Sequence, residues 1–370
     1  MWLRLFYLWV LLISFAGTNH CAGRRIIAVG DLHGDLNQAL SILHVTGLVD
    51  KRQHWTGKDA YLVQLGDVLD VGPDDFAIVR LLMKLEEEAQ AEGGNVIQLL
   101  GNHEIRNLLG DYNAVDRASL ARSGGKHGRT ESLSNRTALG MYLRTRKAIF
   151  HHKEFLFMHG GFSTATGRTI NGIKAVDKFN AAMRDALVYN KQSSMGKTAL
   201  DLDEKRYRKV ANPILVRSIY NVRCSELKKV LAKKFPGIKS VVVGHVPHNP
   251  HDFSDWRLCG GRLIDIDFGL SRWKEGDPGH VAALEIEDTT GHVQLLESTV
   301  KFLNYEPDVH SFVGPDVKHS LPFVRLAVIV VSLIIIVWFL GMWLCSRARN
   351  KPLSEVSQEA YDSVALRANL

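Results

Sequence analysis

Cysteine is scarce in this chain. Its four cysteines, Cys21, Cys224, Cys259 and Cys345, include no pair at metal-ligand spacing, which excludes a disulfide-built scaffold and a zinc ribbon. Charge of one sign is scarce too. Lys and Arg number 46 against 39 Asp and Glu, a formal net charge of +7, and no basic stripe interleaved with aromatic residues runs along the chain. The excess reads as solvated surface and excludes a nucleic-acid partner. Neither an internal repeat nor a low-complexity tract is present. Apolar material is not lacking: hydrophobic residues make up 46% and charged residues 23% of the 370. These are the proportions of a globular protein and exclude a largely disordered chain. The length allows roughly two domains' worth of chain and a large core, with about three quarters of the unfolded surface buried.

The two ends fall outside the expected fold. Residues 1–22 read as a secretory signal peptide. Arg4 supplies a positive start, Leu5 to Phe15 form an apolar run too short to span a bilayer, and small residues follow at Ala16, Gly17 and Ala22. Near the other end, Leu326 to Cys345 run twenty residues without a charge. At about 1.5 Å per residue this crosses a hydrocarbon core of about 30 Å. Arg347, Arg349 and Lys351 follow at once and favour a cytoplasmic tail. The expectation is a single-pass type I membrane protein with its folded domain over 24–310, a linker over 311–323, a transmembrane helix over 324–345 and a tail over 346–370. The domain would be lumenal or extracellular, in the endosomal or secretory pathway or at the cell surface. Tyr361 to Val364 in the tail has the form of an endosomal sorting signal. Cys224 and Cys259 share the domain, where a single disulfide suits such a compartment. Asn135-Arg-Thr137 is the one N-x-[ST] sequon with a permitted middle residue, making Asn135 a glycosylation candidate.

Between these ends one unit recurs. A short apolar run rich in branched residues stops at a glycine and then at a polar cluster. Arg25 to Val29 leads into Asp31 and His33, Ala60 to Leu65 into Asp67 and Asp70, and Asn95 to Leu100 into Asn102 and His103. Glu154 to Met158 leads into His159, and Lys239 to Val243 into His245. Such runs suit strands buried on both faces. Helical patterns separate the first three, over Leu36 to Val45 and over Asp74 to Ala89 behind Pro73. This predicts an α/β fold with a βαβαβ core and its site past the carboxyl ends of the strands. Leu263 to Phe268 and Val281 to Ile286 read as further strands paired in a second sheet. Ile173, Val176, Phe179, Met183 and Leu187 form the packing face of a helix. Lys191 to Lys197 reads as a loop, and His151, His152, His248 and His251 as surface residues, the last two close enough to His245 to line the cleft.

The loop residues Asp31, His33, Asp67, Asn102, His159 and His245 are a mixed set of carboxylate, imidazole and amide donors. That mixture suits manganese first, with iron or zinc as alternatives. Six ligands on one ion leave no open position, whereas two divalent metal ions sharing a carboxylate each keep room for water. Two ions about 3.5 to 4 Å apart can bridge and deprotonate a water and clamp a phosphoryl group. The leaving alkoxide then needs a proton. His103 is placed to give it, and Asp70 to hold its ring and raise its pKa.

These residues resemble the calcineurin-like metallophosphoesterases, and within them the phosphoprotein phosphatases. GDLHG at Gly30, GDVLD at Gly66, GNHE at Gly101, HGG at His159 and GH at Gly244 match that family's motifs in order, over about Arg24 to Leu295. The extension from Gly101 to Asp111 and the run after Leu143 are similar to the Shewanella-like protein phosphatases. The resemblance implies a β-sandwich flanked by helices, with Asp31 and His33 on a first metal, Asp67 bridging, and Asn102, His159 and His245 on a second. It makes His103 the general acid, Asp70 its partner, and a metal-bridged hydroxide the nucleophile. One departure stands out. The family continues Asp-Arg-Gly where this chain has Asp70-Val71-Gly72, so a phosphate-binding Arg is missing. Arg217 sits where the family carries another such Arg, and Arg106 is near enough in sequence to contribute.

The expected activity is hydrolysis of phosphomonoesters, with phosphoserine and phosphothreonine proteins or a small phosphomonoester as substrate. Two alternatives stand beside it: a bis(nucleosyl)-tetraphosphatase-like nucleotide hydrolase, and a non-catalytic membrane receptor that keeps the metal site.

Overall fold

The structure, a computed structural model, describes residues 23–163, 165–191, 193–202, 212–218, 223–248, 256–275 and 281–297. The expected signal peptide, linker, transmembrane helix and tail lie outside these residues, as do His251 and the Tyr361 segment. Among the described residues, no helix is long and apolar enough to cross a membrane.

The chain opens as β1 (Arg25–Val29), α1 (Leu36–Val45), β2 (Tyr61–Gln64), α2 (Asp75–Ala91) and β3 (Asn95–Gln98). β1 pairs with β2 and β2 with β3, both in parallel. This is the expected βαβαβ core. Asp35 starts α1, its carboxylate accepting from the Gln38 N–H at 3.3 Å, which satisfies one otherwise unpaired amide of the first turn. In α2 the buried Phe76, Val79, Leu82, Leu85 and Ala89 recur at helical spacing.

Four short helices follow: α3 (Asn102–Leu108), α4 (Arg117–Arg122), α5 (Gly125–Ser132) and α6 (Ala138–Arg144). Then come β4 (Ile149–His152), β5 (Phe155–Met158), α7 (Thr166–Thr169), α8 (Ile173–Tyr189), α9 (Ser194–Ala199), α10 (Cys224–Lys234) and β6 (Ser240–Val243). β7 (Arg257–Leu258), β8 (Leu263–Asp265), α11 (Arg272–Glu275), β9 (Ala282–Glu287) and β10 (Val293–Glu297) complete the described chain. The strands form two mixed sheets of five, ordered β10-β9-β1-β2-β3 and β4-β5-β6-β8-β7.

The alternation of side chains along each strand builds the layers. Ile26 and Ala28 of β1, Phe155 and Phe157 of β5, Val242 of β6 and Leu284 of β9 share one buried cluster between the sheets. Their neighbours Ile27, Val29, Leu156, Met158, Val241 and Val243 belong to a second cluster with the helices. Both faces of each sheet are covered, which is why these strands read as unbroken apolar runs. Val176, Phe179, Met183 and Leu187 of α8 are buried, as their spacing predicts.

Three expectations are corrected. β9 does not join β8 in the second sheet; it lies antiparallel to β1, with Ile26 opposite Ile286. An alternating apolar strand suits either sheet, and the local pattern does not name its partner. Lys191 to Lys197 is not wholly loop, because Ser193 caps α9 by accepting from the Gly196 N–H at 2.9 Å. His152 is not a free surface residue: its Nε2 lies 2.7 Å from Asp288 Oδ1. Cys224, at the start of α10, and Cys259 are joined in a disulfide.

Candidate active site

The five polar clusters converge past the carboxyl ends of β1, β2, β3, β5 and β6. The turns that aim them are strained. His33, Asp67, Asp70, Val71 and His245 all have left-handed backbones, with φ of 40°, 54°, 69°, 66° and 72°. For residues other than glycine this costs about 1–2 kcal/mol each, and it persists only where surrounding bonds over-determine the loop. Glu104 supplies many of those bonds. Its buried carboxylate accepts from the backbone N–H of Gly101 and Asp67 at 2.8 Å, Val68 at 2.9 Å and Leu69 at 3.0 Å. The second and third loops are thereby tied into one piece. The Leu32 and His33 amides donate to Asp67 O at 3.1 and 2.9 Å and add the first loop. Gly66 has φ 99°, and a Cβ there would stand 2.4 Å from Gly101 N, so only glycine allows this approach.

Asp67 stands at the centre. His33, Asp67 and His103 offer donor atoms within 4.8 Å of one another, and so do Asp67, His159 and His245. Asp67 Oδ2 is 3.8 Å from His33 Nε2 and 3.2 Å from His159 Nε2. Asn102 Oδ1 lies 3.1 Å from the same His159 Nε2, and Asp31 Oδ2 lies 3.6 Å from His33 Nε2. The His245 N–H donates to Asp31 Oδ1 at 3.2 Å, and its ring centroid is 4.8 Å from that of His159.

This donor set fits divalent metal ions. Backbone carbonyls lie against the Nδ1 atoms, Leu65 O at 3.0 Å from His159 and Leu69 O at 3.4 Å from His33. A proton held on Nδ1 in this way leaves each Nε2 lone pair facing Asp67, the usual orientation of metal-ligating histidines. Charges inside the cluster agree. Burial pushes the Asp67 carboxyl up, but His159, His103 and His33 outweigh it and hold the group well below its usual range. Burial pulls His159 down, but Asp67 and Asp31 outweigh it and raise its pKa to about 9.

His103 Nδ1 is 2.7 Å from Asp70 Oδ2, and its Nε2 is 3.8 Å from Asp67 Oδ2. Burial pulls its pKa down, yet Asp67 and Asp70 raise it overall. Behind Asp70 stands a buried chain that the sequence did not reveal. Asn107 Nδ2 donates to Asp70 Oδ1 at 2.7 Å, and Arg129 Nε donates to Asn107 Oδ1 at 2.7 Å. Arg129 also pairs with Asp75 at 2.6 Å, and Asp75 accepts from the Ser119 hydroxyl at 2.6 Å. Glu104 closes the GNHE motif and Asn107 lies three residues beyond it, so that signal was at hand. Arg129 and Ser119, remote in sequence, carried none.

His248, expected at the surface or along the cleft, is largely buried. It stacks on Phe268 with centroids 5.6 Å apart, and its Nε2 lies 3.2 Å from Asp265 O. Arg217 is half-buried on the segment whose Pro213 carbonyl accepts from the Gly160 and Gly161 amides at 2.8 and 2.9 Å. Arg106 is half-buried in α3 between His103 and the helix end. Asn135 is exposed, away from the cluster, with its amide donating to Val188 O at 3.4 Å.

The sequence profile of the calcineurin-like phosphoesterases matches residues 24–249, which carry every residue of this cluster. The chain belongs to that family. Among the relatives of this calcineurin-like phosphoesterase is Shewanella-like protein phosphatase 2 of Arabidopsis thaliana, 43% identical over 96 residues, 26% of this chain and 25% of that protein. The chain thus matches about a quarter of that relative's length. Shewanella-like protein phosphatase 1 of Plasmodium berghei is 27% identical over 270 residues, 71% of this chain and 72% of the other. The extended GNHE motif pointed to the same group. In structure the chain resembles a cold-active protein-tyrosine phosphatase from a psychrophilic Shewanella, with a TM-score of 0.57 over 74% of this chain and 80% of that one at 23% identity. That likeness establishes the fold.

Proposed function

We propose that this calcineurin-like phosphoesterase hydrolyses phosphomonoesters with two divalent metal ions, and that phosphoserine and phosphothreonine proteins are its substrates. The observation that carries the reading is His103, held by Asp70 at 2.7 Å and facing the Asp67 carboxylate shared by both donor groups. Asp31, His33 and Asp67 would hold one ion, and Asp67, Asn102, His159 and His245 the other, with manganese favoured by the mixed donors. When bound, such a pair supplies Lewis acidity and a nucleophile at neutral pH. The chain's own residues do the rest. His103 carries a proton at Nε2 for the leaving alkoxide oxygen, while Asp70 keeps Nδ1 protonated and the ring fixed. Arg217 and Arg106 bind phosphate oxygens, while the contact of the Arg missing at Val71 stays unmade.

The proposal includes the membrane. A type I protein would place this domain in the lumen or outside the cell, where the Cys224–Cys259 disulfide persists and the exposed Asn135 is open to glycosylation. A mobility shift on glycosidase treatment, lost in Asn135→Gln, tests that placement.

The activity is tested by manganese-dependent turnover of phosphoserine, phosphothreonine and phosphotyrosine peptides, an aryl phosphate and a dinucleoside tetraphosphate, with Asp67→Asn as control. Turnover of phosphoserine and phosphothreonine peptides, abolished in the control, is expected. Preference for phosphotyrosine would overturn the substrate class, and turnover of the dinucleotide alone would make the enzyme a nucleotide hydrolase. Metal binding without any turnover would leave a receptor.

A further inference from the structure

The opposite end of the second sheet carries a cavity that the catalytic reading does not use. It has a volume of about 530 Å³ and lies where Phe155 and Ser240 begin β5 and β6 and Arg262 precedes β8. His159 and His245 leave the other ends of β5 and β6. The five residue steps from Glu154 to His159 span about 16 Å at about 3.3 Å each, so the two sites are separate.

Charge distinguishes this cavity. Lys228, Lys239, Arg257 and Arg262 line it, against the single carboxylate of Glu154. Glu154 is engaged by Lys239 at 2.6 Å. Lys228, Arg257 and Arg262 have no carboxylate partner among the described residues. Arg257 lies over the Trp256 ring at 5.4 Å, and Arg262 donates to the Cys259 carbonyl at 3.1 Å. Both guanidinium groups therefore have a fixed side and keep further N–H donors to offer. A neighbouring cavity of about 220 Å³ shares Glu154 and Lys239 but balances Lys153 with Asp288, so the excess of positive charge belongs to the larger one.

The walls are tied together. Lys228 stands on α10, Arg257 and Arg262 flank the Cys259-Gly260-Gly261 turn, and the Cys224–Cys259 disulfide joins helix to turn. Cations without a carboxylate partner among the described residues, set on pinned walls, suit an anion with several charges, because the site need not be ordered on binding.

We propose that this cavity is a binding site for a ligand carrying at least two phosphate or sulfate charges. Such a ligand can be free in solution or the phosphorylated headgroup of a lipid. The test uses the full chain in detergent, stripped of metal with EDTA. Inorganic pyrophosphate is titrated by calorimetry, and flotation with vesicles containing a phosphorylated inositol lipid is measured in parallel. Saturable pyrophosphate binding is expected, weakened tenfold or more by Arg257→Ala and by Lys228→Glu and unchanged in Asp67→Asn. Lys228 is exposed on α10, so its substitution leaves the fold intact. Vesicle binding alone, with the same dependence on Lys228 and Arg257, supports the site and names the lipid as source. Binding that survives both substitutions, or is lost in Asp67→Asn, overturns the proposal, and so does the absence of binding in both arms.

Discussion

Asp70 divides its two carboxylate oxygens between a reacting group and a structural one: Oδ2 holds His103 Nδ1 at 2.7 Å and Oδ1 accepts from Asn107 Nδ2 at 2.7 Å. The carboxylate cannot rotate without breaking one of the two bonds, so the ring of His103 is set by the chain behind it.

Asp70→Asn is therefore expected to lower kcat for a phosphopeptide by about a hundredfold or more, within the range of a lost general acid. An aryl phosphate, whose leaving group needs no proton, should lose far less. Equal losses on the two substrates would remove His103 from the role of acid. The pH profile gives an independent reading. In the metal-free protein Asp67 and Asp70 raise the His103 pKa above its ordinary value, which favours the protonated acid, and kcat should fall as pH rises through the pKa of this ring. In Asp70→Asn that fall should move to lower pH.

Metal loading should depend on His159. Its pKa, raised to about 9 from an ordinary 6.5 in the metal-free protein, makes the proton a competitor for the same nitrogen. The proton's contribution to stability is fully present below about pH 6.5 and is lost as pH rises through about 9. Between those limits the metal concentration for half-loading of the His159 site should fall about tenfold per pH unit, with one proton released as that ion binds. Calorimetry in buffers of different ionisation enthalpy measures that proton; a flat profile would contradict it.

Arg129 is fully buried against Asp75 and within 3.6 Å of Asp70. Arg129→Met leaves the buried Asp75 without its cation and Asp70 with His103 alone, a loss of about 3–5 kcal/mol. Tm should fall by roughly 10 °C in a domain of this size. A Tm within 2 °C of wild type would show that solvent reaches the site.

Val71 is a branched residue in a left-handed backbone, φ 66°. Val71→Gly should stabilise the metal-free protein by about 1 kcal/mol, read by chemical denaturation. Val71→Arg restores a phosphate contact worth about 1.5–3 kcal/mol, a ten- to hundredfold lower KM. An unchanged KM would mean that Arg217 or Arg106 already makes that contact.

The sequence alone determined the parts that depend on local pattern. Apolar runs ending in Asp31, His33, Asp67, Asn102, His159 and His245 named the strands and the polar residues that gather past them, because a strand buried on both faces leaves polar groups only at its ends. The spacing of Val176, Phe179, Met183 and Leu187 likewise named the helix α8. Tertiary structure decided what joins at a distance. That β9 pairs with β1 and that Arg129 stands behind Asp70 both rest on residues tens to hundreds of positions apart. Periodicities of 2 and 3.6 say which face of an element is buried and nothing about the element it meets.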